Sequence, residues 1–245
     1  MKKALLFFAL ILVAATGTYA QKQTGGEKNL EVQFAPLGDT SVSIAGIRMR
    51  IFNSETSAIR IGLFLGGTTD REIAAQPGTV GGDPDAPELV NTDRTFSVSL
   101  RPGYEKHFAG TDRLSPYVGG EVLFTLNRQT NIEESYSTNS FTDPDSKVLW
   151  ETTTTDGSTT FGLNLVAGTD FYFADNIYLG AELSFGFAST RQRDTETEVS
   201  DLNAFRIANG IPQGDAVEFD PILNGSNSGW GPNVQGTLRL GWLFN

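Results

Sequence analysis

The chain ends in NVQGTLRLGWLFN, residues 233–245. Val234, Leu238, Leu240, Trp242 and Phe244 fall on one side of an extended strand, with Gly236 among them. Gln235, Thr237, Arg239 and Gly241 fall on the other, where only Leu243 is apolar. Side chains alternate with period two along a strand, so one face is greasy and ends in aromatics while the other carries an arginine. Seven earlier segments repeat the pattern, and no long helical period lies between them to supply a covering layer. Their apolar faces are therefore expected to meet lipid.

The seven segments are residues 29–36, 42–52, 58–66, 95–106, 114–127, 159–173 and 177–188. Each is near the length that crosses a bilayer when tilted. Short turns join the second to the third, the fourth to the fifth and the sixth to the seventh. Long polar stretches, 67–94, 128–158 and 189–232, follow the third, fifth and seventh. That alternation predicts an all-β chain: an eight-stranded antiparallel up-and-down transmembrane β-barrel with both ends on the periplasmic side. The outward aromatics are expected at two heights. Phe34, Phe96, Phe124, Phe161, Phe185 and Phe187 lie towards the external rim; Tyr104, Phe171, Phe173, Trp242 and Phe244 lie towards the periplasmic one. Paired aromatic girdles are a membrane-barrel signature that a soluble sandwich has no reason to carry.

Residues 1–20 read as a cleaved signal peptide: Lys2 and Lys3, an apolar run over 4–15, then small residues up to Ala20. Residues 21–28 read as a short periplasmic lead-in and 29–245 as the barrel domain. The chain contains no cysteine, which excludes a lipoprotein anchor and disulfide stapling. Its net charge of −11 argues against a nucleic-acid partner.

The segments F-A-P-L-G-D, I-A-G-I-R-M-R-I-F and A-I-R-I-G-L-F-L-G between Asn29 and Leu65 resemble the small eight-stranded outer-membrane β-barrel proteins of Gram-negative bacteria. So do R-P-G-Y-E-K-H-F and the aromatic last strand. The resemblance implies insertion into outer-membrane lipid by the outer-membrane assembly machinery, through a signal in the last strand. Members usually end in Phe, whereas Asn245 follows Phe244 here. The family brings no catalytic motif.

The inward faces collect Arg48, Arg50, Arg60, Arg101 and Arg239 against Glu31, Glu105, Glu121, Asp170 and Glu182. Equal numbers of opposite charge predict a structural ion-pair plug rather than a selective ring, since an eight-stranded barrel has an interior that side chains can fill. Arg101 is expected to meet Glu121, and Glu182 to meet Arg239. The sole histidine, His107, reads as a turn or rim residue. No catalytic site and no cofactor are expected. Asp83 and Asp85, and Asp143 and Asp145, flank prolines in two loops and are weak candidates for a divalent cation, read first as stiffened turns. The long stretches are acidic: six acids against two bases in 67–94, six against two in 128–158, and seven against three in 189–232. A structural, protective or adhesive role through these loops is the leading reading. A narrow channel for small or hydrophobic solutes and a soluble lipocalin-like carrier are the alternatives. The pattern predicts a β-rich protein that fractionates with the outer membrane and changes gel mobility on boiling; recovery as soluble periplasmic protein with unchanged mobility would contradict it.

Overall fold

The computed structural model describes residues 22–35, 43–75, 87–138, 147–212, 217–231 and 237–245. Its long strands are β1 (Lys28–Ala35), β2 (Ser43–Ser54), β3 (Ser57–Ala75), β4 (Leu89–His107), β5 (Leu114–Thr138), β6 (Lys147–Ala174) and β7 (Ile177–Gln192). A short β8 (Glu196–Val199), a helix α1 (Leu202–Asn209), β9 (Ser226–Gly231) and β10 (Thr237–Phe244) complete the chain. Strands β1 to β7 pair in sequence, and β10 bonds to both β7 and β1. The wall thus closes into an antiparallel ring of eight strands, with no open edge at that level. Both described termini and the three short turns share one end of the ring, here the turn end; the long connections share the other, the loop end.

Alternation divides the ring chemically. Leu63, Leu165, Leu183, Leu240 and Trp242 stand exposed on its outer surface, Leu165 at 71%. Glu31, Arg50, Arg60, Glu105, Asp170 and Arg239 stand inside with no exposure. The alternation breaks once near the top of β2, where Gln33 pairs with Gly46 but Phe34 pairs with Ile44. The extra residue is Ala45, which forms a bulge. Gly46 takes φ +146° there, and a Cβ would stand 2.9 Å from the Leu63 carbonyl oxygen, so the bend needs glycine.

Two polar stretches expected as loops, 67–94 and 128–158, are largely strand where described. β3 and β4 stay paired from Ser57–Lys106 up to Ala75–Leu89, and β5 and β6 from Leu114–Phe171 up to Thr138–Lys147. The period-two signal is lost there because both faces are polar. What sustains the ladder is β-branched threonine and cross-strand pairs. Thr68 meets Thr95 at 2.8 Å, Ser97 donates to Asn127 at 2.6 Å, and Asn131 donates to Asp93 at 2.9 Å. The run Thr152–Thr155, inside the stretch 128–158 read as a loop, pairs with β5 on one edge and β8 on the other.

The 189–232 stretch holds β8, α1 and β9. The α1 N-terminus is capped by Asp201, whose side chain accepts from the Asn203 and Ala204 amides, and Gly210 closes it in the left-handed conformation. Phe205 packs between Trp150 and Phe219, with ring centroids 6.3 and 5.5 Å away. β9 lies on the same edge of β7 as β10: Gly231 is opposite Gly186, and Thr237 opposite Glu182. β9 thus extends the β7 edge that β10 covers towards the loop end, earlier in the chain than residue 233.

Leu183, at 57% exposure, faces outward and Ser184 inward. Leu183→Arg is expected to cost ~2–4 kcal/mol near mid-membrane, while Ser184→Arg is milder. Equilibrium unfolding from lipid vesicles checks the order; equal or reversed effects would mean that the register of β7 is wrong.

Candidate functional site: a charged layer across the barrel interior

Strand alternation aims one charged side chain after another at the ring axis, and their length lets them cross it. Arg60, from β3, reaches three other wall strands. Its Nη1 donates to Glu105 Oε1 and Glu182 Oε2, each at 2.9 Å, and its Nη2 to Glu121 Oε2 and Glu182 Oε1, each at 2.8 Å. Arg48 forks onto the same Glu182, both bonds at 3.0 Å. Arg50 stands 2.6 Å from Glu31, 2.8 Å from Asp170 and 3.0 Å from Glu105. Arg239 stands 2.7 Å from Asp170 and 3.3 Å from Glu31. Planar guanidinium forks suit this, because each can serve two carboxylates at once.

Nine of the ten charged residues singled out from the sequence therefore meet in one layer. The expected pairings differ. Glu182 is held by Arg48 and Arg60, while Arg239 reaches it only at 3.9 Å. Arg101 does not pair with Glu121. Its Nε donates to Ser99 at 3.4 Å, and Glu121 is taken by Arg60 and by Asn164 at 3.1 Å. The reason is reach: residues close in height on adjacent strands are not the nearest partners when long side chains meet at the axis.

A tyrosine layer fills the space nearer the turn end. Tyr117, Tyr172 and Tyr178 are buried. Tyr117 donates to Glu182, Tyr178 accepts from Arg50 at 2.6 Å and from Asn29 at 2.7 Å, and the Arg50 guanidinium lies 5.0 Å from the Tyr178 ring centre. Two glycines make room. A Cβ at Gly180 would stand 2.5 Å from Arg239 Nη2, and one at Gly241 would overlap the Tyr178 ring. Below lies a small apolar floor of Phe52, Ala58 and Leu243.

His107 belongs to this interior, not to a turn or rim. β4 runs through to it, and its odd position follows Arg101, Gly103 and Glu105 inward. It is 2% exposed, with Nδ1 2.9 Å from Ser115 Oγ and Nε2 3.3 Å from Glu105. Ser115, His107 and Glu105 form a hydrogen-bonded line of the kind hydrolases use. Here the serine is 1% exposed, its oxygen accepts from Gln23 at 2.8 Å, and the glutamate is already bound to arginines, so no substrate reaches it.

Gln23 was not singled out from the sequence. The lead-in folds back under the ring, and the Gln23 amide donates also to the Glu55 carbonyl at 3.2 Å and accepts from Tyr172 at 2.8 Å. The Gly26 amide donates to the Phe52 carbonyl at 2.7 Å, which turns the segment towards β1. No period-two pattern marks such a segment, and a buried glutamine in a polar stretch leaves no signal of its own.

All eleven girdle aromatics lie on outward positions. Phe96, Phe124, Phe161, Phe185, Tyr104, Trp242 and Phe244 are exposed; Phe34, Phe171, Phe173 and Phe187 are half-buried. Phe187 stacks on Trp230, an outward aromatic missed in the sequence, at 4.9 Å. Asp83, Asp85, Asp143 and Asp145 lie outside the described residues. Among the described residues no cluster of His, Cys, Asp or Glu could hold a metal ion.

A ring of eight antiparallel strands, apolar outside and charged inside, defines the class of outer-membrane β-barrels. A family model described as "Putative OmpA-OmpF-like porin family" matches residues 40–194, more than half of the chain. The chain belongs to that family, and it is a Gram-negative outer-membrane β-barrel protein rather than a soluble carrier. A comparison with curated proteins returned no match. Among solved structures, the crystal structure of Acinetobacter baumannii CarO is similar over 90% of this chain and 98% of that one, at 10% identity and a TM-score of 0.35.

Glu182→Ala would leave Arg48 and Arg60 short of a buried counter-charge. The expected cost is ~3–5 kcal/mol in equilibrium unfolding from lipid vesicles. Arg101→Gln, which breaks no ion pair among the described residues, is expected to cost under ~1 kcal/mol. Equal costs would mean that the Glu182 pairs contribute nothing to stability.

Proposed function

We propose that the barrel is a closed, salt-bridged wall element of the outer membrane, with a structural, protective or adhesive role exercised by its acidic loop end. The observation that carries this reading is Arg60: one fully buried guanidinium tied to Glu105, Glu121 and Glu182 across the ring axis. Four arginines and five carboxylates in one layer, with three tyrosines beneath, occupy the width that eight strands enclose. Solute could pass only by breaking several buried ion pairs at once, and each break strands a charge.

On this reading the turn end faces the periplasm, because short turns and chain termini lie there in barrels of this kind. The loop end then projects outwards, carrying paired polar strands, α1 and most of the acidic surplus. Residues 1–20 act as the export signal and are removed, and the assembly machinery inserts the barrel through its last strand.

Membership of a porin family favours a second reading, a narrow channel for small solutes. Planar-bilayer recording separates the two. Purified wild-type protein is expected to show no steady conductance across a range of salt concentrations. Stable single-channel steps that scale with salt would establish the channel and dismiss the closed wall.

A further inference from the structure

The loop-end extensions of the wall gather exposed arginines on their outward face. The outward positions carry Arg71 on β3, Arg94 on β4, Arg128 on β5 and Arg191 on β7, all exposed. The opposite face of β3, β4, β5 and β6 carries Asp70, Glu72, Asp93, Glu133 and Asp156, while Glu134 on β5 and Glu151 on β6 stand on outward positions nearer the loop end. Registers run unshifted through this region, so the two faces do not exchange. The outward positions that directly flank each arginine hold Thr, Ser, Gly or apolar residues, and the outward Glu134, Glu151, Glu196 and Glu198 lie farther towards the loop end. Within an acidic chain, that is a local reversal of sign.

The four arginines also share a height. Arg71 is fourteen residues from Ser57, where β3 begins; Arg128 is fourteen from Leu114; Arg191 is fourteen from Ile177; Arg94 is thirteen from His107. At ~3.3 Å per residue and a tilt near 45°, fourteen residues climb ~33 Å, slightly more than the ~30 Å hydrocarbon core. Below them on the same face stand the outward apolar residues Leu65, six residues below Arg71, Phe96 and Leu126, two below Arg94 and Arg128, and Phe187, four below Arg191, with Ile73 and Ile132 above. The collar therefore sits where hydrocarbon gives way to headgroups. None of the four arginines makes an ion pair with another described residue.

We infer that Arg71, Arg94, Arg128 and Arg191 form a binding collar for phosphate-bearing anionic lipid headgroups of the loop-end leaflet. Guanidinium binds phosphate through paired N–H groups, and outward placement above the apolar band gives access to headgroups of lipids whose chains lie on that band. The inference rests on the membrane class of the barrel and is independent of whether its interior conducts.

The test uses the full-length mature protein in phosphatidylcholine vesicles doped with phosphatidic acid, followed by detergent extraction and native mass spectrometry of the retained lipid. Wild type is expected to retain phosphatidic acid over phosphatidylcholine, and the preference to weaken as salt rises. Arg94→Gln with Arg128→Gln should reduce phosphatidic acid retention about tenfold and leave phosphatidylcholine unchanged. Lys106→Gln, an exposed cation at the turn end, should change neither. Folded state is verified in each variant by its gel-mobility change on boiling, and Arg71→Gln with Arg191→Gln provides a second pair if the first does not fold. Equal retention of both lipids by wild type, or undiminished phosphatidic acid retention in a folded double variant, overturns the inference. Complete displacement by millimolar inorganic phosphate also overturns it, because the collar would then read a free anion instead of a headgroup.

Discussion

The constraint on which the structure depends is charge neutralisation in a place without water to help. Arg50, Arg60 and Arg239 have no exposed surface, and the carboxylates around them have almost none. A buried ion is tolerable only when counter-charges and hydrogen-bond partners are built around it. Here key partners come from non-neighbouring strands: Arg48 on β2 and Arg60 on β3 both reach Glu182 on β7, while Arg239 on β10 and Glu31 on β1 join the two strands that close the ring. The network therefore ties the cross-section together. Lipid can supply no such specificity to the outer face, because hydrocarbon accepts Leu165 or Leu183 in any arrangement that keeps them outward. In a soluble protein the apolar core specifies packing and the polar surface is permissive; in this barrel the roles are exchanged.

That exchange explains the glycines. An interior built from arginine, glutamate and tyrosine needs more room per residue than backbone spacing provides, so large inward residues require small ones opposite. Gly180 yields to Arg239 and Gly241 to Tyr178. The tyrosines then serve two purposes. Their rings close the space beneath the ion pairs, and their hydroxyls satisfy polar atoms that the arginines and carboxylates leave over, as Tyr178 does for Arg50 and Asn29. A buried polar network is rigid when its members are satisfied and weak when they are not, so room and hydrogen bonding are selected together.

The ring and its two faces were legible in the sequence because a membrane imposes one chemistry on every second residue. Arg48, Arg50 and Arg60 could be placed inside from alternation alone. Their partners could not, since alternation gives a direction and not a reach: Glu182 looked closest to Arg239 along neighbouring strands, yet lies between Arg48 and Arg60 across the axis. His107 was misplaced because the strand was ended one residue early, at a Lys-His pair that resembles turn chemistry. Gln23 carried no signal, since a single glutamine in a polar segment reads the same whether it is solvated or docked beneath Tyr172.

The polar loop-end strands show why chemistry and hydrogen bonding give different boundaries. On β3, outward Leu65 is succeeded by Gly67, Thr69 and Arg71; on β5, Leu126 by Arg128 and Thr130; on β6, Phe161 by Thr159 and Gly157. The ladder crosses that line without a register shift. A pattern based on apolar alternation stops at the membrane surface, because only lipid demands apolar side chains. Backbone pairing has no such reason to stop: an unpaired N–H or C=O loses a hydrogen bond whether the neighbouring face is wet or dry, and threonine favours the extended chain on both sides of the line. The wall therefore continues rigidly past the lipid, and it is this continuity that holds Arg71, Arg94 and Arg128 at a fixed height above the last outward aromatics.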